Sequence, residues 1–268
     1  MNEIHAEKKS KVGPCALCLQ VDKLSDSHII PNAYFRDMKK RSSGKLIAMD
    51  TAPNTPIKSS QDSLSQHLLC EACEIHFSKW ETPWIHKLRK TAKLFTKDVG
   101  SVDVASFDYQ TLRSFLLSII WRAAVCSRPE FSHVRFPPDV LEGLRLNLLA
   151  GTAPEETVIG NRVRRLVDPT GELDIGVIDK FVFTPIQLST GGLQGYQLFF
   201  GGYIVDFLTS KVTRSVANLR GFVRDKAQLT IPAAPFEREP TFMRMAMYIM
   251  DKHQSRLAQN APSKENIY

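Results

Sequence analysis

Four of the chain's five cysteines fall in two Cys-x-x-Cys pairs, Cys15/Cys18 and Cys70/Cys73. Thiolates two residues apart on a tight turn can both point at one tetrahedral centre, and in a reducing compartment such pairs are more often zinc ligands than disulfides. The first pair follows the turn signal Gly13-Pro14. The second opens a run of good helix formers over 71–80, with Cys73, Phe77 and Trp80 at helical spacing. The pattern predicts a closed four-cysteine site for structural Zn²⁺, one pair on a turn and the other at a helix N-terminus, where the helix dipole stabilises thiolates. Four thiolates leave no open coordination position, so any catalysis must come from other residues. Cys126, next to the apolar stretch 114–125, reads as a small buried side chain.

Around these cysteines the chain reads as α+β, with a treble-clef/ββα-metal zinc module followed by a mainly helical domain carrying a small antiparallel sheet. Its 268 residues, 43% hydrophobic and 24% charged, suffice for one large domain or two small ones. Residues 1–12 form a polar, Lys-rich lead-in and 13–98 the zinc module. Within the module, 42–65 is a Ser, Thr, Pro and Asn rich loop interrupted by a short strand at 46–49. Pro83 is expected to start a second helix whose outer face carries Lys87, Arg89, Lys90 and Lys93. Residues 99–258 contain a helix over 109–126 that is apolar nearly all round, a helix over 138–149, and β-rich segments at 157–167, 175–188 and 196–208. A Met-rich helix over 237–257 and a disordered tail, 259–268, close the chain. The Gly191-Gly192 and Gly201-Gly202 pairs read as turns, because no phosphate-loop pattern surrounds them.

No stretch approaches the roughly 20 apolar residues of a membrane span, and the N-terminal residues lack a secretory apolar run, so the expectation is a cytoplasmic protein with no membrane partner. The formal charge of +7 favours a polyanion. Lys87, Arg89, Lys90 and Lys93 can follow a phosphate backbone or form an ordinary solvated helix face. Arg162, Arg164, Arg165, Lys211, Arg214, Arg220 and Arg224 suit a nucleic-acid channel or a solvated strand face. Met243, Met245, Met247 and Met250 fill core gaps or form a surface for a homodimer or protein partner.

The series Cys15-x-x-Cys18, Ser27-His28-Ile29-Ile30-Pro31 and Leu68-Leu69-Cys70-x-x-Cys73-Glu74 resembles the zinc-containing HNH endonucleases, part of the His-Me finger nucleases, over residues 15–81. The resemblance implies His28 as the general base that activates water, beside a divalent Mg²⁺ or Mn²⁺ ion that offsets charge on the phosphate and leaving oxygen. A neutral structural histidine bonded to the backbone is the plain alternative for His28. Ser27 and Glu74 stand where the family carries an acidic or His residue and a His, both usual metal-ligand positions. Glu74 offers a hard carboxylate oxygen, whereas Ser27 is a poor ligand. The family's middle Asn has no counterpart near 62–65 or at Asn54, which leaves His67, His76 and Glu81 as candidate substitutes. The implied activity is metal-dependent hydrolysis of DNA, favoured over RNA, in bacterial or phage-associated antiviral defence. The alternative is a non-catalytic, zinc-stabilised nucleic-acid-binding or regulatory protein with a degenerate site, and either can carry a C-terminal half that recruits a partner.

Overall fold

A computed structural model describes residues 11–41, 46–48, 58–60, 62–96, 98–171, 178–179, 181–244 and 247. Strands β1 (Lys11–Pro14) and β2 (Val21–His28) form an antiparallel hairpin whose connecting turn carries Cys15 and Cys18. Helix α1 (Asn32–Arg41) follows, then the two-stranded β3 (Leu46–Ala48) and β4 (Lys58–Ser60). Strand β5 (Ser65–Cys70) pairs antiparallel with β2, with a register shift between Ser25 and Asp26, and runs straight into α2 (Glu71–Ala92).

Pro83 does not begin a new helix, because α2 continues through it. An interior proline costs a helix about 3 kcal/mol through a lost hydrogen bond and a ring clash. Here Trp80 on one side of it and Trp84, Ile85 and Leu88 on the other are all buried, and the Trp84 indole donates to Thr111 Oγ1 at 2.9 Å. Tertiary packing on both flanks holds the segment helical where the local signal is a break.

Strand β6 (Ser101–Val104) leads to α3 (Tyr109–Val125), capped by the Asp108 carboxylate, which accepts from Thr111 N. As its composition predicts, α3 is buried at every position from Leu112 to Ala123. Helix α4 (Pro138–Ala150) ends on the left-handed Gly151.

The second half contains more sheet than expected. β6, β7 (Gly160–Val167), β8 (Val182–Thr190), β9 (Leu193–Phe200), β10 (Tyr203–Leu208) and β11 (Leu229–Pro235) form a six-stranded mixed sheet in the order β6-β11-β7-β10-β9-β8. The β11–β7 pairing is parallel and the others antiparallel. A small antiparallel sheet in a mainly helical domain is therefore the wrong description. Pro232 and Pro235 disguise β11, since proline demotes a segment in a strand reading, and β6 has only four residues. Short α5 (Arg214–Ala217) lies between β10 and β11. The expected helix at 237–257 falls largely outside the described residues, and the tail at 259–268 entirely so.

Both glycine pairs make hairpin turns with positive φ. Gly195 also has φ +146°, and a β-carbon there would lie 1.9 Å from the Phe207 carbonyl oxygen of the neighbouring strand. Gly195→Ala is expected to separate β9 from β10 and to cost about 3 kcal/mol or more; a urea midpoint equal to that of the parent chain would refute this.

One contiguous core runs from Cys15 through α2 and α3 to Ile231. Among the described residues no helix is long and apolar enough to cross a membrane.

Candidate functional site

The turn after β1 is built to present sulfur. Cys15 N donates to Gln20 O, Leu19 N returns to Cys15 O, and Leu19 adopts φ +64°. Cys70 caps α2 with extended backbone and Cys73 lies in the helix's first turn. The four side chains converge, with all ligand atoms within 4.8 Å of one another. Cys18 Sγ and Cys70 Sγ are 3.8 Å apart, far beyond a disulfide bond of about 2.05 Å. A tetrahedral ion with Zn–S bonds of about 2.3 Å sets its sulfurs about 3.8 Å apart, so the donor set fits a metal ion such as zinc.

The electrostatics are those of a thiolate cradle. Burial raises the Cys15 pKa, but backbone N–H groups of Cys18, Cys70 and Leu17 outweigh it and hold the thiol below its ordinary value. Cys70 N donates to Cys15 Sγ at 3.3 Å. Burial pushes the Cys70 and Cys73 thiols up, and neighbouring cysteine sulfurs add to it, a penalty that a bound cation relieves.

His28 is the last residue of β2, and Glu74 lies one turn into α2. Burial lowers the imidazole pKa; the charges of Asp26 and Glu74 raise it and those of Arg122 and Lys39 lower it, the net shift being downward. His28 Nε2 is 2.9 Å from Ser63 Oγ. Glu74 Oε1 is buried and has no hydrogen-bond partner among the described residues. An ionised carboxylate oxygen left this way demands a proton or a cation.

The other sequence candidates have different partners. Ser27 is turned inward, its hydroxyl accepting from Leu69 N at 3.1 Å, because successive strand residues face opposite sides. His67 donates from Nδ1 to Leu24 O across the β2–β5 pair. His76 lies against α4, with Nε2 2.9 Å from Leu148 O and its ring edge-on to Trp80. Glu81 forms an ion pair with Arg122 of α3, and burial lifts its carboxyl pKa while Arg122 pulls it down and Glu74 adds to the rise. His28, Glu74, Glu81 and Arg122 thus form one electrostatic cluster, from which His67 and His76 stand apart in their contacts. Among the described residues only the four cysteines bring three or more ligand side chains together.

The expected cationic face is divided. Lys87 donates to Ser106 O and lies over the Trp84 ring, and Arg89 bonds Ala33 O and pairs with Asp37. Lys90 and Lys93 remain exposed. In β7, Arg164 and Arg165 are buried and paired with Asp206, Glu239 and Asp179, so they do not line a channel.

Sequence reasoning missed Ser63, Arg122 and Arg128. Arg128, just beyond α3, pairs with Asp62 and donates to Ser65 O at 2.9 Å, fixing the chain on both sides of Ser63. The available signal was Arg122 inside the apolar run 114–125, since a buried arginine needs hydrogen-bond acceptors and is often paired with a carboxylate. Comparison of the chain with protein-family profiles, curated proteins and solved structures found no match.

Proposed function

We propose that the chain is a metal-dependent, HNH-like endonuclease that hydrolyses phosphodiester bonds of DNA, with the four cysteines holding a structural Zn²⁺ in a treble-clef arrangement. The observation that carries the reading is Glu74 Oε1, buried and without a partner among the described residues, on a carboxylate whose charge acts on His28, an imidazole whose pKa burial lowers. Mg²⁺ or Mn²⁺ is held characteristically by one or two carboxylates plus waters and substrate phosphate oxygens, so a single buried oxygen is a sufficient protein anchor. When bound, the ion offsets charge building on the phosphate and the departing oxygen.

His28 is neutral near pH 7 and takes a proton from the attacking water as the new P–O bond forms and the bond to the leaving oxygen breaks. Ser63 orients the ring. Glu81 is neutralised by Arg122 and acts as a support for the cluster. Lys90 and Lys93 supply exposed positive charge for approach of the nucleic acid.

His28→Ala is expected to slow plasmid cleavage in Mg²⁺ or Mn²⁺ by about a hundred to ten thousand fold with zinc content unchanged. Because burial holds the His28 pKa below 6.5, activity should fall only as pH drops below 6.5 and be flat through neutrality. If neither protein cleaves plasmid, single-stranded DNA or RNA in either metal, the nuclease reading fails and a non-catalytic binding module takes its place.

A further inference from the structure

A second site opens beside α1. A cleft of about 420 Å³ lies between α1, the C-terminal half of α2 and the β9–β10 turn, and shares no lining residue with the His28 cluster. Its volume is in the range of small-molecule pockets.

The floor is aromatic. Tyr34 packs edge-on against Phe200, and its ring lies so close to Gly201 that a β-carbon there would fall 2.3 Å from it. Tyr203 is buried beside it and donates its hydroxyl to Leu88 O at 2.7 Å. Tyr34 Oη has no such outlet. Tyr34 is only 5% exposed, and its hydroxyl is buried with no hydrogen-bond partner among the described residues. A phenol buried in this way normally finds an acceptor.

The rim is cationic. Among the described residues, each carboxylate on it is already matched by an arginine, Asp37 by Arg89 and Asp179 by the buried Arg165. Lys90, in the last turn of α2, and Lys93, its C-cap, line the cleft, and among the described residues their side chains have neither ion pair nor hydrogen bond, as is true of His86. Among the described residues, the cations of the rim without a carboxylate partner include Lys90 and Lys93, a pair that suits a dianion.

We propose that this cleft binds a small phosphomonoester carrying a flat organic body. Its phosphate sits between Lys90 and Lys93, and its body lies on the Tyr34 and Tyr203 floor with an acceptor for Tyr34 Oη. A bare phosphate would fill only a small part of the volume, and an extended nucleic acid needs an open track. None of the cleft's residues belongs to the His28 cluster, so the proposal does not depend on catalysis there; it does share Lys90 and Lys93 with the nucleic-acid approach proposed above, and the oligonucleotide arm of the test separates the two uses.

The test is calorimetric titration of the full zinc-loaded chain with adenosine 5′-monophosphate, phenyl phosphate, inorganic phosphate, adenosine and an oligonucleotide lacking terminal phosphates. One of the two phosphomonoesters is expected to bind saturably, at least tenfold more tightly than adenosine or inorganic phosphate. The Lys90→Ala/Lys93→Ala double variant should weaken that binding at least tenfold, whereas Lys79→Ala, an exposed lysine elsewhere on α2, should leave it unchanged. Tyr34→Phe should weaken it several-fold without lowering the melting temperature of the ligand-free chain, because the lost hydroxyl bonds none of the described residues. Failure of both phosphomonoesters to bind, binding indifferent to the double variant, or equal loss in Lys79→Ala would overturn the proposal. So would binding of the oligonucleotide alone, which would make the cleft part of a nucleic-acid track.

Discussion

Cys70→Ser is expected to unfold the N-terminal module and leave the chain without stoichiometric zinc. Cys70 ends β5, caps α2, and lies 3.8 Å from Cys18 Sγ, so its sulfur joins the hairpin turn to the helix. Structural zinc in small modules contributes about 10–16 kcal/mol of apparent binding free energy at neutral pH, which exceeds or matches the whole stability of an ordinary domain. Loss of one thiolate removes most of that. The damage spreads, because Cys15, Leu17, Leu24, Leu69 and Cys70 belong to the same core as α2 and α3. Metal analysis and thermal melting read the outcome, with a fall in stability of more than about 5 kcal/mol expected. A variant that keeps both the melting temperature and the zinc of the parent chain would remove the structural-metal reading, and treatment of the parent chain with a strong chelator should reproduce the variant's behaviour.

Arg122→Met should be nearly as harmful, for an electrostatic reason. The Arg122 side chain is 1% exposed and its partner Glu81 18%. Methionine keeps a long apolar side chain in the buried position but loses the guanidinium that lies over the Phe77 ring, and it leaves the Glu81 carboxylate without its cation. Stranding one partner of a buried pair costs about 3–5 kcal/mol. The pH dependence identifies the cause. Burial already raises the Glu81 carboxyl above its ordinary value of 4.5, and losing Arg122 lifts it further. Only the ionised form is penalised, so the variant should be most stable below pH 4.5 and lose stability as pH rises through the raised pKa. Adding Glu81→Gln should recover much of the loss and abolish that pH dependence. A deficit that is the same at all pH values, or that persists in the double variant, would assign the effect to packing instead.

These two results also bear on the candidate catalytic cluster, since Arg122 acts on both Glu81 and His28. The arginine separates two carboxylates of different fate. Glu81 is committed to the ion pair, and Glu74 keeps an oxygen without a partner among the described residues. The sequence separates them only by the resemblance, which gives Glu74 the position after Cys73 and leaves Glu81 as a substitute; they lie seven positions and about two turns apart on α2. The approach of α3 is what commits Glu81 to an ion pair.

Spacing alone determined much of the first third of this protein. Two Cys-x-x-Cys pairs require a tetrahedral cluster because local turn and helix geometry aims each pair's sulfurs together, and the structure brings the four within reach of one ion. The all-round apolar pattern likewise required a buried helix, and α3 is one. Tertiary structure decided the features in which local and long-range preferences compete. Packing of Trp80, Trp84 and Leu88 overrode the break signal of Pro83, and strand pairing recruited β11 despite its prolines. The charged residues were least legible. A sequence shows Lys87, Arg89, Arg164 and Arg165 as free cations, but their partners, Ser106 O, Asp37, Asp206 and Asp179, are brought to them only by the fold. Hydrophobic period is written within a single element, whereas the neutralisation of a charge depends on which other element packs against it.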